Sequence, residues 1–321
     1  MREVTRASCV TRSRAAGRTP ASQRGLALLV AMLVAALAAA VAVSVATAQS
    51  QWAAQVAHRR DQVQAQSIAQ AGVAWAREIL DADRNLGPVD YLGEPWALPL
   101  PAMPVGNGVV EGRIVDAQGL LNVNNLASAK HATAERRRFA RLFAGLGIPE
   151  ATLASVIDWV DADDVAQPGG AEDAFYLREA DRSQAASGPA TRIEELALVR
   201  GMTPAALARL TRFATALPPD TATNVNTAPP EVLAAIIDNL DPGELATLVA
   251  SRAQHAFGSI ADFRARLPAH ASIGDEAMYT VGSRYFLVEV RARQGETRAR
   301  ARALIDRSPR SAATIVWQTI E

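Results

Sequence analysis

An uncharged apolar run from Leu26 to Ala48 constrains this chain more than any other feature. At about 1.5 Å per residue it is long enough to cross roughly 30 Å of hydrocarbon as a helix. A basic leader ending in Arg24-Gly25 precedes the run with no spacer. In an ordinary secretory signal the cleavage site follows the apolar region, which is then discarded. A cut between Gly25 and Leu26 would instead keep it, so the sequence predicts a mature chain that begins as a membrane helix.

Charge distribution predicts the orientation of that helix. The leader contains six arginines and one acidic residue, Glu3. Positive charge beside a first apolar segment keeps that end in the cytoplasm, so everything after Ala48 is expected across the membrane. Cys9 is the only cysteine and would leave with the leader. The mature chain would therefore have no disulfide, thiol nucleophile or thiolate metal site.

The helical pattern continues beyond the apolar run. Apolar residues and one glycine recur mostly three or four apart, or at sums of those steps, and predict one helix from about Leu26 to about Asp81. The residues in question are Trp52, Val56, Val63, Ile68, Gly72, Trp75 and Ile79. Trp52, Val56, Val63 and Ile68 are candidate partner contacts, although the later ones could equally pack on the chain's own sheet. Prolines between positions 88 and 101 predict a loop after the helix.

Alternating patterns predict a small antiparallel sheet. They cover Val109 to Val115, then Tyr285 to Arg293 and Thr297 to Ile305 around a glycine-containing turn, and a short strand from Thr314 to Trp317. The expected fold class is α+β, with a long helix packed on this sheet.

The segment from Leu120 to Asp275 reads as a helical insertion between the strands. Turns with Gly, Pro or Asn precede short helices predicted at Ala151 to Val160, Ala205 to Leu217 and Glu231 to Leu240. The predicted organisation is a leader at 1–25, a membrane segment at 26–48, the first part of a sheet domain at 49–119, the insertion at 120–275 and the last strands at 276–321.

The densest acidic stretch lies inside the insertion, around a Pro-Gly-Gly turn. Six carboxylates within sixteen residues would repel one another unless a cation or many hydrogen-bond donors offset them. Calcium suits such a set because it takes six to eight oxygen ligands in irregular geometry, whereas zinc would need His or Cys nearby. The alternative is an exposed loop whose aspartates cap helices. The candidate ligands are Asp158, Asp161, Asp163, Asp164, Glu172 and Asp173.

Two asparagine-rich phrases, around Asn122 to Asn125 and Asn224 to Asn226, precede helices. Asn accepts left-handed backbone geometry and bonds nearby backbone groups, which favours turn and cap chemistry over ligand binding.

The stretch from Asn226 through Phe263 is similar to helix-hairpin-helix modules of DNA-binding proteins. Between Leu120 and Asp275, however, fourteen basic residues face nineteen acidic ones, a net charge of −5. Binding to a phosphate backbone requires clustered positive charge, so nucleic acid is not expected as a partner. The four histidines are scattered and no catalytic motif is present, so the chain is not expected to be an enzyme.

Four features, taken in chain order, resemble the minor pseudopilin K family of type II secretion systems. They are the leader and helix, the phrase from Gly112 to Gly119 running into Leu121 to Leu126, the acidic stretch, and Asn224 to Ala228. The resemblance implies cleavage after Gly25 by a prepilin peptidase, methylation of the new N-terminus and a single pass through the inner membrane with the bulk in the periplasm. It further implies a pseudopilin fold with a calcium-binding insertion, and a complex with minor pseudopilins I and J at the tip of the pseudopilus.

One departure from the general pattern concerns the fifth mature position. Pilin-like subunits usually have Glu there, whereas this chain has Val30. In such filaments that Glu is thought to neutralise the N-terminal ammonium of a neighbouring subunit, which Val30 cannot do. This predicts a subunit that starts or caps the filament. A type IV pilus minor pilin is the alternative, and a membrane-anchored DNA-binding protein is a third reading.

Overall fold

A computed structural model describes residues 21–178, 187–308 and 311–321, with side chains from residue 25 onward. The chain divides into two compact units, Met1–Arg60 and Asp61–Glu321. Most of the predicted leader, up to position 20, lies outside the described residues.

The first element, helix α1, is Ala21–Asp83. The predicted helix is confirmed, although it begins before the expected start at Leu26 and continues past Asp81. Within the described residues, α1 is the one helix long and apolar enough to span a membrane. The large apolar side chains of its first part, from Leu26 to Val45, are all exposed. An apolar surface of this kind needs a non-aqueous environment or partners.

Nine strands follow among the described residues of the second unit. Five form one antiparallel sheet in the order β1-β2-β7-β8-β9, and the other four form two short parallel pairs, β3 with β4 and β5 with β6. The predicted hairpin is β7–β8, with Gln294 opposite Thr297 across the turn. The strands are β1 Leu100–Val105, β2 Gly108–Asp116, β3 Leu121–Asn122, β4 Ala214–Thr215, β5 Thr223–Asn224, β6 Tyr279–Thr280, β7 Tyr285–Gln294, β8 Thr297–Asp306 and β9 Thr314–Ile320.

Strand β1 was missed because its sequence reads as a proline-rich loop. Pro101 and Pro104 lie within it. Proline cannot donate to a strand ladder, but an edge strand pairs on one side only and tolerates it there. Strand β1 pairs only with β2, with a register irregularity between Leu100 and Met103.

The part of α1 after Asp61 packs on one face of the sheet through small residues. Ala65 and Ala69 belong to the same buried core as Ala301 and Ala303 of β8. The helix also has Gly72 on this face, where an added Cβ would lie 2.7 Å from Cγ1 of Val290. These small side chains allow a close approach of helix and strands.

In the described part of the insertion between β2 and β7 there are seven further α-helices. Two are shorter than predicted: the helix expected to reach Leu217 ends at Leu210, because residues 214–215 pair with β3. The one expected to reach Leu240 ends at Ile236. The helices are α2 Ala132–Gly145, α3 Glu150–Val160, α4 Asp173–Tyr176, α5 Pro204–Leu210, α6 Pro230–Ile236, α7 Pro242–Gln254 and α8 Ile260–Ala265.

The insertion has a hydrophobic core separate from the helix–sheet core. Phe139, Leu196, Leu233 and Phe263 are fully buried in it. Tyr279 belongs to the same core and lies in β6, which pairs with β5. The packing of the insertion therefore extends past the predicted boundary at Asp275.

Asparagines join distant segments of the insertion. The Asn122 side chain accepts from the Leu217 N–H at 2.9 Å and donates to the Pro218 carbonyl. Asn124 likewise accepts from the N–H of Ala190 at 2.8 Å and donates to its carbonyl. The Asn122 side chain also accepts locally from the Asn124 N–H, in the manner expected for turns, but the main partners of both side chains lie 66 to 96 residues away.

Candidate cation site

The acidic stretch forms the loop between α3 and α4. Helix α3 runs from Glu150 because Pro149 fixes the backbone ahead of its first turn, and it ends at Val160 with Asp161 as its C-cap. Gly169, at φ +85°, provides the turn that brings the chain back. Glu172 then precedes the first residue of α4. The ends of two helices thus bring acidic side chains from both sides of the loop together.

Asp158 organises the loop through backbone hydrogen bonds. It is fully buried, and its carboxylate accepts from the Gln167 N–H at 3.0 and 3.2 Å and from the Ala171 N–H. A Cβ at Gly170 would lie 1.9 Å from Asp158 Oδ2, so only glycine fits there. Burial raises the pKa of Asp158, and the two N–H donors oppose that rise.

Three other carboxylates converge nearby. Asp161, Asp163 and Glu172 each offer an oxygen, and these oxygens all lie within 4.8 Å of one another. Asp161 and Glu172 are buried, whereas Asp163 is exposed. The Asp163 side chain also accepts from the Val165 N–H at 2.9 Å, which fixes the loop beside the cluster.

The described residues offer this cluster little compensating charge. Oδ1 of Asp161 and both oxygens of Glu172 are buried without a hydrogen-bond partner among the described residues. Burial, followed by repulsion from Asp163 and Asp158, raises the pKa of Asp161 to about 6. Burial and repulsion from the neighbouring carboxylates raise the pKa of Glu172 to about 7. Arg136 is the one cation that lowers the pKa of Asp161, and no ion pair joins it to the cluster.

These residues fit a divalent cation with oxygen ligands. A buried carboxylate without a partner costs free energy, and a bound cation would remove that cost for both Asp161 and Glu172. Three carboxylates of a loop, completed by carbonyls or waters, match the coordination preference of calcium. Cysteine and histidine do not occur near the loop in the sequence, so zinc is a poor fit.

The remaining predicted ligands lie apart from the three. Asp164 is exposed in the loop, and Asp173 is the first residue of α4. Neither belongs to the converging group. The sequence located the acidic loop but could not separate Asp158, which holds the loop, from the three carboxylates that converge.

A second acidic group escaped the sequence analysis because its members come from separate segments. Asp83, Asp90 and Glu94 also converge within 4.8 Å. Here the protein supplies its own cation: Arg307 donates to Asp83 at 2.5 Å and to Asp90 at 2.6 Å, all three side chains being buried. This group is an ion-pair cluster that ties the end of α1 to the residue after β8. No local sequence pattern marks this group, because Arg307 lies 224 residues after Asp83 in the chain.

The fold and the loop together define a class of protein. A long N-terminal helix, an antiparallel sheet packed on its later part and a helical insertion between two sheet strands make up a pseudopilin-type subunit with an inserted domain. Family models described as type II secretion system protein K match residues 119–219 and 223–281.

Individual relatives support the same family. A Pseudomonas aeruginosa protein named type II secretion system protein K is 36% identical over 248 residues, covering 73% of this chain and 74% of that protein. A Klebsiella pneumoniae protein of the same name is 29% identical over 307 residues, covering 90% and 94%. The chain belongs to the type II secretion system protein K family, and its role is that of a minor pseudopilin.

A solved structure shares the fold. The crystal structure of the GspK-GspI-GspJ complex from enterotoxigenic Escherichia coli contains a chain that matches with a TM-score of 0.73 and 22% identity. The match covers 83% of this chain and 99% of that one.

Proposed function

We propose that this chain sits at the tip of a periplasmic pseudopilus, where it initiates or caps assembly during protein export across the outer membrane. The observation that carries this proposal is the helical insertion between β2 and β7, which has its own buried core. A subunit with so large an addition fits best where nothing stacks above it. Val30 supports the same position, because it lacks the carboxylate with which a pilin-like subunit would meet its neighbour.

Processing and location follow from the same role. A prepilin peptidase would cut between Gly25 and Leu26 and methylate the new N-terminus. The apolar part of α1 would then cross the inner membrane once, with the N-terminus in the cytoplasm and the second unit in the periplasm. The chain would act as a structural component and not as an enzyme, and nucleic acid is not among its proposed partners.

Its proposed partners are minor pseudopilins I and J of the same system, by analogy with the Escherichia coli complex. Of the predicted partner contacts, Trp52, Val56 and Val63 have exposed side chains, whereas Ile68 is buried in the chain's own core. The first three share one stripe of α1, which suits docking of a partner helix.

Co-purification tests this assignment. The full-length chain, expressed with its own I and J pseudopilins and extracted in neutral detergent, is expected to form a stable ternary complex. Val63→Asp should weaken that complex, because it places a charge on the apolar stripe, while Gln64→Asp adds the same charge about 100° around the helix and should not. Purification of the chain alone at matched expression, or binding to duplex DNA at moderate salt, would contradict the proposal.

We further propose that Asp161, Asp163 and Glu172 bind calcium, with Asp158 holding the loop in place. Calcium should raise the melting temperature of the full-length chain by several degrees over excess chelator, since saturation at 100 times Kd is worth about 2.7 kcal/mol. Glu172→Gln should remove this response and, in chelator, melt higher than the parent chain, because a buried carboxylate without a partner is gone.

The control for charge is Glu150→Gln, which removes an exposed carboxylate from the first turn of α3. It should keep the full calcium response. A melting temperature of the parent chain that is the same in calcium and in chelator would refute the calcium site and leave the pseudopilin assignment untouched.

A further inference from the structure

The sheet face opposite α1 carries a block of four arginines. Arg291 and Arg293 alternate with core residues on β7, and Arg298 and Arg300 do so on β8. In the antiparallel register Arg291 lies directly opposite Arg300, and Arg293 directly opposite Arg298. We call these four residues the arginine quartet.

Such an arrangement works against the stability of the sheet. Like charges directly opposite each other on neighbouring strands destabilise the pairing. Arg291 has one ion pair, to Glu111 at 3.4 Å, and Arg300 one, to Glu289 at 3.1 Å. Arg293 and Arg298 form none with the described residues. Among the described residues the four guanidinium groups therefore form two ion pairs, which leaves the quartet with a net positive charge.

Glu289 offers the quartet little further compensation. Its carboxylate also binds Arg113 at 2.8 Å and lies 3.6 Å from Arg302. One buried carboxylate is thus shared among three guanidinium groups. In the next row of the same face Arg302 also pairs with Glu194, so the excess of positive charge is confined to the quartet.

The quartet is accessible and lines a groove. Arg293 and Arg298 are exposed, and the side chains of Arg291 and Arg300 are 63% and 42% exposed. With Val109 and two acidic residues, Glu111 and Glu321, they border an open groove of about 680 Å³. A ligand could therefore reach all four guanidinium groups at once.

We propose that the arginine quartet is a docking surface for an acidic, extended segment of another protein. Guanidinium groups can bind carboxylates through paired N–H donors, and Glu111 and Glu289 already accept single N–H contacts from Arg291 and Arg300 on this face. Along each strand the arginines are two residues apart, or about 6.8 Å. A segment in extended conformation with acidic residues at alternate positions repeats at the same distance. Charge and spacing both match such a partner.

The test uses the full-length chain alone, in micelles of a neutral detergent, so its outcome does not depend on the pseudopilin assignment. The probe is a fluorescent peptide of alternating Glu and Thr, followed by anisotropy at low salt. Arg293→Gln with Arg298→Gln should weaken binding about tenfold. Arg137→Gln with Arg264→Gln, exposed arginines of the insertion, makes the same change in net charge and should leave affinity within about twofold.

Stability gives a second readout that separates docking from a structural role. Removing one arginine from the other pair, as in Arg300→Gln, would also break an ion pair, whereas the Arg293–Arg298 pair can be changed without that loss. The quartet double variant should therefore melt about 1–2 °C higher than the parent chain, because a repulsive cross-strand pair is gone. A docking surface predicts weaker binding together with higher stability.

Three results would overturn the proposal. One is equal weakening by the quartet and control variants, which would mean that only net charge matters. Another is a quartet variant that melts lower and binds the peptide unchanged. The third concerns dihexanoyl phosphatidylglycerol, a soluble anionic lipid. If the quartet double variant weakens binding of this lipid but not of the peptide, the surface recognises lipid.

Discussion

Asp116 shows how much one side chain can contribute to the joint between sheet and insertion. It lies at the end of β2 and is almost fully buried. Its carboxylate accepts from Asn224 Nδ2 at 2.9 Å and from the Thr227 and Ser283 hydroxyls at 2.6 Å each. The Gln118 N–H donates to the other oxygen at 2.8 Å. Four residues from three segments of the chain therefore donate to one carboxylate.

Asp116 predicts a specific dependence of stability on pH. Burial raises the pKa of Asp116 to about 6, and the hydroxyl and N–H donors only partly oppose that rise. Since the folded chain binds this proton more tightly than the unfolded chain, stability falls as pH rises between about 4 and 6 and is level above. Through this residue, acidification from pH 7 to 5 should increase the free energy of unfolding by about 1 kcal/mol.

The measurement is denaturant unfolding of the full-length chain at pH 5 and 7, in calcium. Asp116→Asn should reduce the difference between the two pH values by that amount, whatever its effect on absolute stability. Glu296→Gln, which removes an exposed carboxylate from the β7–β8 turn, should leave the difference unchanged. An unaltered difference in Asp116→Asn would show that this carboxyl does not titrate as described.

At the residue scale, the sequence predicted the kinds of chemistry but not the partners. The asparagines were expected to act in turns and caps, and they do so locally, as in the Asn122 side chain that accepts from the Asn124 N–H. Their long-range bonds depend on which segments fold together, and no local pattern contains that information. Asp158 illustrates the same limit: only the return of the loop at Gly170 determines that it binds backbone N–H groups.

At the element scale, periodicity predicted α1 and the hairpin of the sheet, but it gave no bounds for α2 and α7, helices of 14 and 13 residues, and it failed for the short strands. The hairpin β7–β8 combines ten-residue strands with a turn glycine, Gly295 at φ +55°, and was recognised nearly to the residue. The two-residue strands β3 to β6 are too short to show alternation. Their pairing is set by the buried asparagines and by packing of the insertion.

Helix lengths in the insertion depended on the same tertiary contacts. The Ala-Leu pattern after Pro204 continues beyond Leu210, yet the chain leaves the helix so that Ala214 can pair with Leu121. Local propensity differs little between these residues, and the pairing decides where the helix ends. The sequence likewise showed the alanines of α1 and β8 but not that they pack against each other, which depends on how the helix lies on the sheet.

At the scale of the whole molecule, the zero net charge conceals a strong separation of charge. Thirty-three basic and thirty-three acidic residues balance in the sequence. In the fold, carboxylates gather in the loop after α3 and arginines on the outer face of the sheet. Composition alone therefore argued against a broadly basic, nucleic-acid-binding chain. It gave no sign of one localised acidic surface and one localised basic surface.

The proposed position at the tip of the filament leads to a prediction about Val30, which lies in the exposed apolar part of α1. A pilin-like subunit that docks beneath another must neutralise a buried N-terminal ammonium, since an unpaired charge in an apolar environment costs several kcal/mol. A subunit at the tip has no neighbour above it. Val30→Glu should therefore leave cleavage after Gly25 intact and add little to secretion, measured as exported protein in cells lacking the native copy.

Val34→Glu, four residues further along α1 and on the same side of the helix, is the control for this experiment. It places the same carboxylate deeper in the apolar segment, where no ammonium is expected and where insertion should suffer. Processing is followed by the loss of leader mass in each variant. A large gain in secretion with Val30→Glu would mean that a missing carboxylate had limited the protein, and would place this subunit below others in the filament and not at its tip.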